Sequence, residues 1–306
     1  MRERRSRGVR STAGHSPTLT EPWQDAGRNP PGEAEITSTD EPAGPAWLDL
    51  AGAANVRDVG GLPTVDGRRT RSGVLVRADN LQGLTEADVA LLLDRVGVRT
   101  VLDLRSSGEV HLEGPGPLVG RVAHHHLTLI GETPGEPDSA EVERAVPTVN
   151  DRSARRGAGP RDMTAYYLGY VEDQPGNVAT ALRLLADAAN GPTVVHCAAG
   201  KDRTGTIVAL ALSLSGVTRD AVVADYVASA ERMDGVLARL QASSAYGREL
   251  VGKTVDDIRP EAASMERFLD EVDRRYGGPH GLAMSLGVDE ETVARLAARL
   301  VVPVHR

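Results

Sequence analysis

Cysteine is almost absent from this chain: Cys197 is the only one among 306 residues. A single cysteine excludes an internal disulfide, and a chemically active lone thiol needs reducing surroundings. No apolar run approaches the roughly 18 residues that indicate a membrane-spanning helix. Residues 1–10 contain five arginines but lack the apolar stretch of a secretory signal. These absences predict a cytoplasmic location and no integral membrane contact.

Lysine is also scarce, since Lys201 and Lys253 are the only two among 35 basic residues. With 43 acidic residues the net charge is −8, which argues against nucleic acid as a partner and against general adsorption to anionic membranes. The sequence contains no metal-ligand cluster and no nucleotide-binding glycine fingerprint. Three consecutive histidines at 124–126 fall on a predicted strand, where adjacent side chains point to opposite faces. We therefore expect neither a metal nor a cofactor.

Composition divides the chain near residue 45. Residues 1–44 are rich in proline, glycine, serine, threonine and charge, which predicts a disordered tail. Residues 45–306 are long enough for one sizeable catalytic domain. Within this domain, residues 131–160 are too long and too rich in proline, glycine and charge for an ordinary connection. This segment is either a lid over a site or a disordered insertion.

Strand and helix patterns alternate along the domain. Residues 84–88 have the N-cap signals of a helix that ends near Gly97, and residues 98–104 are typical of a buried strand. Residues 192–195 predict a second buried strand, and residues 206–214 predict a buried helix. The fold class is therefore α/β, with a mainly parallel central sheet flanked by helices and ligands at the carboxyl ends of the strands.

The lone cysteine lies between the second strand and its helix, in the sequence HCAAGKDRTG at residues 196–205. Backbone N–H groups that converge at a helix N-terminus favour a tetrahedral oxyanion, and the same surroundings activate a thiol. Cys197 is thus predicted to be a nucleophile, and Arg203 can give a phosphate two parallel hydrogen bonds that lysine cannot reproduce. The predicted phosphate ligands are Ala198, Ala199, Gly200, Lys201, Asp202 and Arg203. Residues 197–203 are called the phosphate loop below.

Two neighbours have predicted supporting roles. His196 is expected to orient the loop through ring hydrogen bonds and to help set the thiol pKa. Thr204 is expected to donate its hydroxyl to the sulfur, which helps the thiolate to leave when a phosphocysteine is hydrolysed. The alternatives are ordinary ones: a buried apolar role for Cys197 and a solvated surface role for Lys201. A buried apolar role for Cys197 leaves the spacing of the neighbouring histidine, glycine, arginine and threonine unexplained.

The HCxxGKDRTG pattern resembles the bacterial atypical tyrosine and lipid phosphatases of the mycobacterial protein tyrosine phosphatase B type. The resemblance covers roughly residues 46–302, through motifs at 55–62, 71–79, 101–106, 224–226 and 276–278. It implies a cysteine-phosphatase fold with the phosphate loop between a strand and a buried helix. It also implies helices that can cover the site, and it leaves signal-independent export open.

The general acid must differ from that of the better-known tyrosine phosphatases, because neither tryptophan begins a Trp-Pro-Asp loop. Asp202 is the first candidate, and its alternative is a carboxylate that braces the loop by accepting backbone hydrogen bonds. Glu132 is the second candidate. Arg105 follows a predicted strand and could reach the site, although an ion pair with Asp103 or Asp58 is equally compatible. Asp79, in a motif of the resemblance, is a further site candidate.

The resulting prediction is a metal-independent phosphomonoester hydrolase that works through a phosphocysteine. Its substrate is predicted to be a phosphorylated protein or a phosphoinositide, with phosphotyrosine first and phosphoserine, phosphothreonine and phosphoinositides as further substrates. A phosphoinositide-specific phosphatase, a catalytically silent phosphate-binding module and a rhodanese-type sulfurtransferase are the alternatives. Three tyrosines in residues 164–170 are expected to pack and hydrogen-bond along a buried face rather than stack on substrate.

Overall fold

A computed structural model describes residues 45–131 and 163–303. The chain divides into two units, Met1–Glu41 and Pro42–Arg306, and every described residue belongs to the second. The predicted tail, Glu132 and all but residue 131 of the 131–160 segment lie outside the described residues, so the predictions for them remain untested. None of the helices in the described ranges combines the length and apolar character needed to cross a bilayer.

A six-stranded sheet forms the centre of the described part of the chain. Its strands are β1 (Ala46–Trp47), β2 (Arg57–Asp58), β3 (Leu75–Ala78), β4 (Thr100–Asp103), β5 (Ala123–His126) and β6 (Thr193–His196). The spatial order is β1-β2-β3-β6-β4-β5. Strands β3, β6, β4 and β5 are parallel, whereas β1 and β2 are antiparallel additions at one edge. The prediction of a mainly parallel sheet is confirmed.

The register brings the carboxyl ends of the central strands together. His196, the last residue of β6, lies beside Ala78 of β3 and Asp103 of β4. All four residues of each of these three strands are buried, as expected for parallel strands covered on both faces. The segments that follow them therefore start from one edge of the sheet, where the phosphate loop begins.

Eleven α-helices accompany this sheet in the described ranges. They are α1 (Glu86–Ala90), α2 (Ser107–Glu113), α3 (Thr164–Asp173), α4 (Pro175–Ala186), α5 (Asp202–Leu214), α6 (Arg219–Ala228), α7 (Met233–Ala242), α8 (Val255–Ile258), α9 (Ala262–Tyr276), α10 (Pro279–Ser285) and α11 (Glu290–Leu300). The predicted capping box of α1 is present, with Thr85 and Asp88 exchanging hydrogen bonds. The chain then continues as a π-helix over Leu91–Val96 and ends at Gly97, whose φ is 80°.

Helix α5 lies at the centre of the larger apolar core. Its residues 203–212 are all buried, and it packs against α3, α4, α6, α10 and α11 as well as β6. The predicted buried helix after the phosphate loop is therefore confirmed, and it begins four residues earlier than the apolar pattern indicated. The first turn of α5 thus belongs to the phosphate loop, which fixes that loop to a rigid element.

Candidate active site

The phosphate loop turns tightly between β6 and α5. Gly200 has a φ of +64°, and a Cβ atom there would lie 2.6 Å from the backbone nitrogen of Asp79 and 2.7 Å from Ala78. A larger residue would therefore force the loop away from the end of β3. The loop ends at the N-terminus of α5, so the positive end of the helix dipole lies behind it.

Cys197 lines a cavity of about 210 Å³ together with the loop residues from Ala198 to Arg203 except Gly200. Cys197 is 2 % exposed and Arg203 is 6 % exposed. The apolar and aromatic walls are formed by Met163, Tyr166, Tyr170, Tyr226, Met233, Leu240, Tyr246 and Leu250. Because Cys197 and Arg203 are buried, a phosphoryl group must enter this cavity to reach them.

Arg203 is held by a buried carboxylate. Its Nη1 and Nη2 atoms donate to the two oxygens of Glu109 at 2.6 and 2.8 Å. Tyr246 donates its hydroxyl to Glu109 and lies 3.2 Å from Nη2 of Arg203. Burial alone would raise the pKa of Glu109, but the charge and hydrogen bonds of Arg203 outweigh it and hold the value at about 2. The guanidinium plane is thus fixed before any substrate arrives.

Asp202 opens α5 at the cavity wall. Its Oδ1 accepts a hydrogen bond from the hydroxyl of Tyr167 on α3 at 2.7 Å. Its Oδ2 lies 3.6 Å from Nζ of Lys201, which donates to the carbonyl of Ile258 at 2.6 Å. No backbone N–H of residues 45–131 or 163–303 donates to this carboxylate, so the backbone-bonded brace considered for Asp202 is not seen. All three tyrosines of α3 are buried, and Tyr167 packs and hydrogen-bonds as expected, but Tyr166 and Tyr170 line the cavity that substrate would enter, which differs from the expectation for them.

His196 is buried directly before the loop, and the ring hydrogen bonds predicted for it are not seen in the described part of the chain. It is 1 % exposed, and neither ring nitrogen has a hydrogen-bond partner among the described residues. Burial lowers its pKa to about 4, although the nearby carboxylate of Asp103 opposes that shift. Thr204 is also buried, and its hydroxyl has no partner in the described ranges, so the predicted hydrogen bond to the sulfur is not formed here.

Two other predicted site residues lie behind the loop and do not line the cavity. Arg105 is fully buried and bonds both oxygens of Asp103, which is one of the ion pairs considered for it. Asp58 instead accepts hydrogen bonds from backbone N–H groups. Asp79 accepts N–H bonds from Ala54 and Asn55, and burial raises its pKa.

The comparisons with known proteins agree with this geometry. A profile described as the tyrosine phosphatase family matches residues 48–302. The chain belongs to the tyrosine phosphatase family. The triple specificity protein phosphatase PtpB of Mycobacterium tuberculosis (strain ATCC 25618 / H37Rv) is 31% identical over 281 residues, which are 84% of this chain and 99% of that protein.

A tyrosine-protein phosphatase of Nostoc commune is 27% identical over 235 residues, 74% of this chain and 73% of that protein. Among solved structures, the catalytic core of Siw14 matches 69% of this chain and 94% of its own at 11% identity, with a TM-score of 0.26. The family profile and the two bacterial relatives confirm the resemblance to bacterial atypical tyrosine phosphatases. The chain is a phosphatase, which sets aside the sulfurtransferase and the silent phosphate-binding module.

Several functional side chains of this phosphatase were missed by sequence reasoning. Asn55 donates to the carbonyl of Ala199 at 3.0 Å, and Arg77 donates to that of Gly200 at 2.8 Å. These two bonds satisfy buried loop carbonyls and hold the backbone of the loop in place. Glu109 was also missed, although a signal existed: Ser106 and Glu109 form a capping box directly after β4.

One group of potential metal ligands occurs within the described ranges. Donor atoms of Asp103, His124 and His196 lie within 4.8 Å of one another. However, the guanidinium of Arg105 bonds both oxygens of Asp103, so a cation there would face a buried positive charge. We assign no metal to this group.

Proposed function

We propose that this phosphatase is a protein-tyrosine phosphatase that hydrolyses phosphotyrosine through a phosphocysteine on Cys197. The observation that carries the proposal is that the buried residues Cys197 and Arg203 line a cavity that four tyrosines also line. The long, flat side chain of phosphotyrosine can reach buried groups and presents an apolar ring to these aromatic side chains. The shorter side chains of phosphoserine and phosphothreonine reach less far. The relative PtpB is named a triple specificity protein phosphatase, which supports activity on more than one class of substrate, with these as secondary ones.

The proposed reaction has two steps. The Cys197 thiolate attacks phosphorus, the bond from phosphorus to the tyrosine oxygen breaks, and Asp202 gives that oxygen a proton. A water molecule then attacks the phosphocysteine and returns a proton to Asp202, and the sulfur–phosphorus bond breaks. Inorganic phosphate leaves, and the thiolate is restored.

Arg203 and the loop N–H groups stabilise the charge on the equatorial oxygens in both steps. Glu109 occupies Nη1 and Nη2 from one side, and Nε makes no hydrogen bond within residues 45–131 and 163–303. The edge formed by Nε and Nη2 is therefore the edge that would bind phosphate. A phosphate oxygen at Nη2 would replace the hydroxyl of Tyr246, which now lies 3.2 Å from that atom.

Charge around the cavity favours a single phosphate group over a polyphosphorylated ring. The charged residues lining it are Lys201, Asp202, Arg203, Glu249, Asp256, Asp257, Arg259 and Glu261, five acidic and three basic. The acidic excess in this lining disfavours the binding of additional phosphates. Lys201 is the observation that favours the second candidate function, a phosphoinositide phosphatase, because its ammonium lies at the cavity wall beside the loop.

Replacing Asp202 with asparagine tests its role as the acid. We expect a loss of about 10²–10⁴-fold with alkyl phosphates and less than about tenfold with p-nitrophenyl phosphate, whose leaving group needs little protonation. The basic limb of the pH profile should flatten, because it reports loss of the acid's proton. Rates for a leaving-group series measure both effects. Equal slowing of every substrate would make Asp202 a loop brace, and the test would then move to Glu132.

Replacing Lys201 with alanine separates the two candidate substrates. If the ammonium recruits a second phosphate, hydrolysis of polyphosphorylated inositides should fall about tenfold more than hydrolysis of a phosphotyrosine peptide. From the acidic lining we expect equal losses on both. Lys253→Ala is the matched control, since Lys253 is the other lysine and is exposed. A selective loss on inositides, measured by phosphate release, would favour the lipid substrate.

A further inference from the structure

The hydroxyl of Tyr167 is a buried polar group with two short contacts. Tyr167 has no exposed surface, and its ring packs edge-on against Tyr226 and Phe268 at centroid distances of 6.1 and 5.9 Å. Its hydroxyl lies 2.7 Å from Oδ1 of Asp202 and 2.6 Å from the hydroxyl of Tyr226. Because an unsatisfied hydroxyl is costly to bury, these contacts fix where the side chain points.

The direction of both hydrogen bonds follows from counting protons. An ionised carboxylate only accepts, so Tyr167 donates its single proton to Asp202. Tyr226 must then donate to Tyr167. Burial raises the pKa of Tyr167 well above its ordinary value, so the hydroxyl stays a donor over the working pH range. The result is an ordered chain from Tyr226 through Tyr167 to Asp202.

This chain makes the two oxygens of Asp202 unequal. A proton on Oδ2 leaves the hydrogen bond from the Tyr167 hydroxyl to Oδ1 intact. A proton on Oδ1 would instead compete with the Tyr167 hydroxyl for the lone pairs of that oxygen. Within the described residues Oδ2 makes no hydrogen bond, and its nearest cation is Nζ of Lys201 at 3.6 Å. The chain therefore favours the same orientation of the carboxyl group before and after it gives up its proton.

We propose that Tyr167 is the positioning residue for the general acid, holding Asp202 by Oδ1 so that Oδ2 carries the proton to the leaving group. The inference rests on the proposed role of Asp202 as that acid. It assigns a catalytic purpose to a tyrosine that packing alone would place in the core.

Tyr167→Phe removes the donor while keeping the ring. We expect about a tenfold loss with alkyl phosphates and little change with p-nitrophenyl phosphate. The basic limb of the pH profile should move to higher pH, because the ionised carboxylate loses a hydrogen bond that stabilises it. The other titratable groups that share the cavity with Asp202 include Lys201, Tyr226, Arg259 and Glu261, and this change leaves them in place.

The experiment measures kcat/KM across a leaving-group series and across pH for Tyr167→Phe, Asp202→Asn and the double variant. If Tyr167 acts through Asp202, its replacement should cause no further loss in the Asp202→Asn background. Tyr226→Phe breaks the chain one bond earlier and should show a smaller effect in the same direction, even if Tyr167→Phe folds poorly. Tyr276→Phe, the same change at the end of α9 away from the cavity, should leave all rates unchanged.

Uniform slowing by Tyr167→Phe with an unmoved pH profile, or an additional loss in the double variant, would show a merely structural role and overturn the proposal. If Asp202→Asn has the expected leaving-group effect and Tyr167→Phe does not, the positioning role alone fails. If Asp202→Asn itself shows no leaving-group effect, the proposed acid fails and the role of Tyr167 fails with it.

Discussion

Cys197→Ser is expected to lower turnover by at least about 10³-fold while phosphate still binds. A serine hydroxyl stays protonated near neutral pH, so the nucleophile is lost. The loop N–H groups, Arg203 and its partner Glu109 are unchanged, so the anion site survives. Steady-state rates with a phosphotyrosine peptide and calorimetric titration with inorganic phosphate measure the two halves of this prediction.

Thermal unfolding is the control for this variant. Cys197 is buried, so an unchanged midpoint shows that the lost activity reflects chemistry and not lost structure. A clean preparation of Cys197→Ser that still hydrolyses substrate appreciably would contradict the nucleophile assignment. Loss of both turnover and phosphate binding in a folded protein would contradict the claim that the loop itself binds the anion.

Arg203→Lys should be nearly as damaging as Arg203→Ala, with losses of two to four decades in kcat/KM, roughly the size expected for a preorganised oxyanion donor or more. Lysine restores the charge but cannot bond both oxygens of Glu109 and a phosphate at the same time. Arg203→Ala should also destabilise the fold by about 3–5 kcal/mol, because it leaves the fully buried Glu109 without its cation.

Urea unfolding and kinetics on the same preparations separate these two effects. Arg203→Lys should retain more stability than Arg203→Ala while recovering little activity. Rescue of most of the activity by lysine would mean that Arg203 acts as a point charge, and the argument from its planar geometry would be wrong.

Local patterns made much of the fold predictable. The capping box at Thr85 and Asp88, the buried strand near residues 98–104 and the helix after the phosphate loop all follow from signals within about ten residues. The parallel sheet followed from the alternation of strands and helices. The short antiparallel strands β1 and β2 were not predicted, because two-residue strands show no periodicity.

The site was predictable where its chemistry is local and not where it depends on distant pairing. The phosphate loop is one continuous stretch, so its spacing was visible in the sequence. Glu109 lies 94 residues before Arg203, and Tyr167 lies 35 residues before Asp202. Glu109 lies on α2 and Tyr167 lies on α3, so each meets its partner in the loop only through the tertiary fold. Arg105 shows the opposite case, because its carboxylate partner Asp103 is only two residues away. The sequence was nevertheless compatible with three outcomes for Arg105: contact with the site, an ion pair with Asp103 or an ion pair with Asp58.

The most direct test of the account is to trap the phosphoenzyme. The protein, with and without Asp202→Asn, is mixed with a phosphotyrosine peptide, quenched within the first turnover and examined by peptide mass spectrometry. We expect one added phosphoryl group on the peptide that contains Cys197, and none in Cys197→Ser. Full turnover with no phosphoryl group on Cys197 at any quench time, or with the group on another residue, would contradict the mechanism.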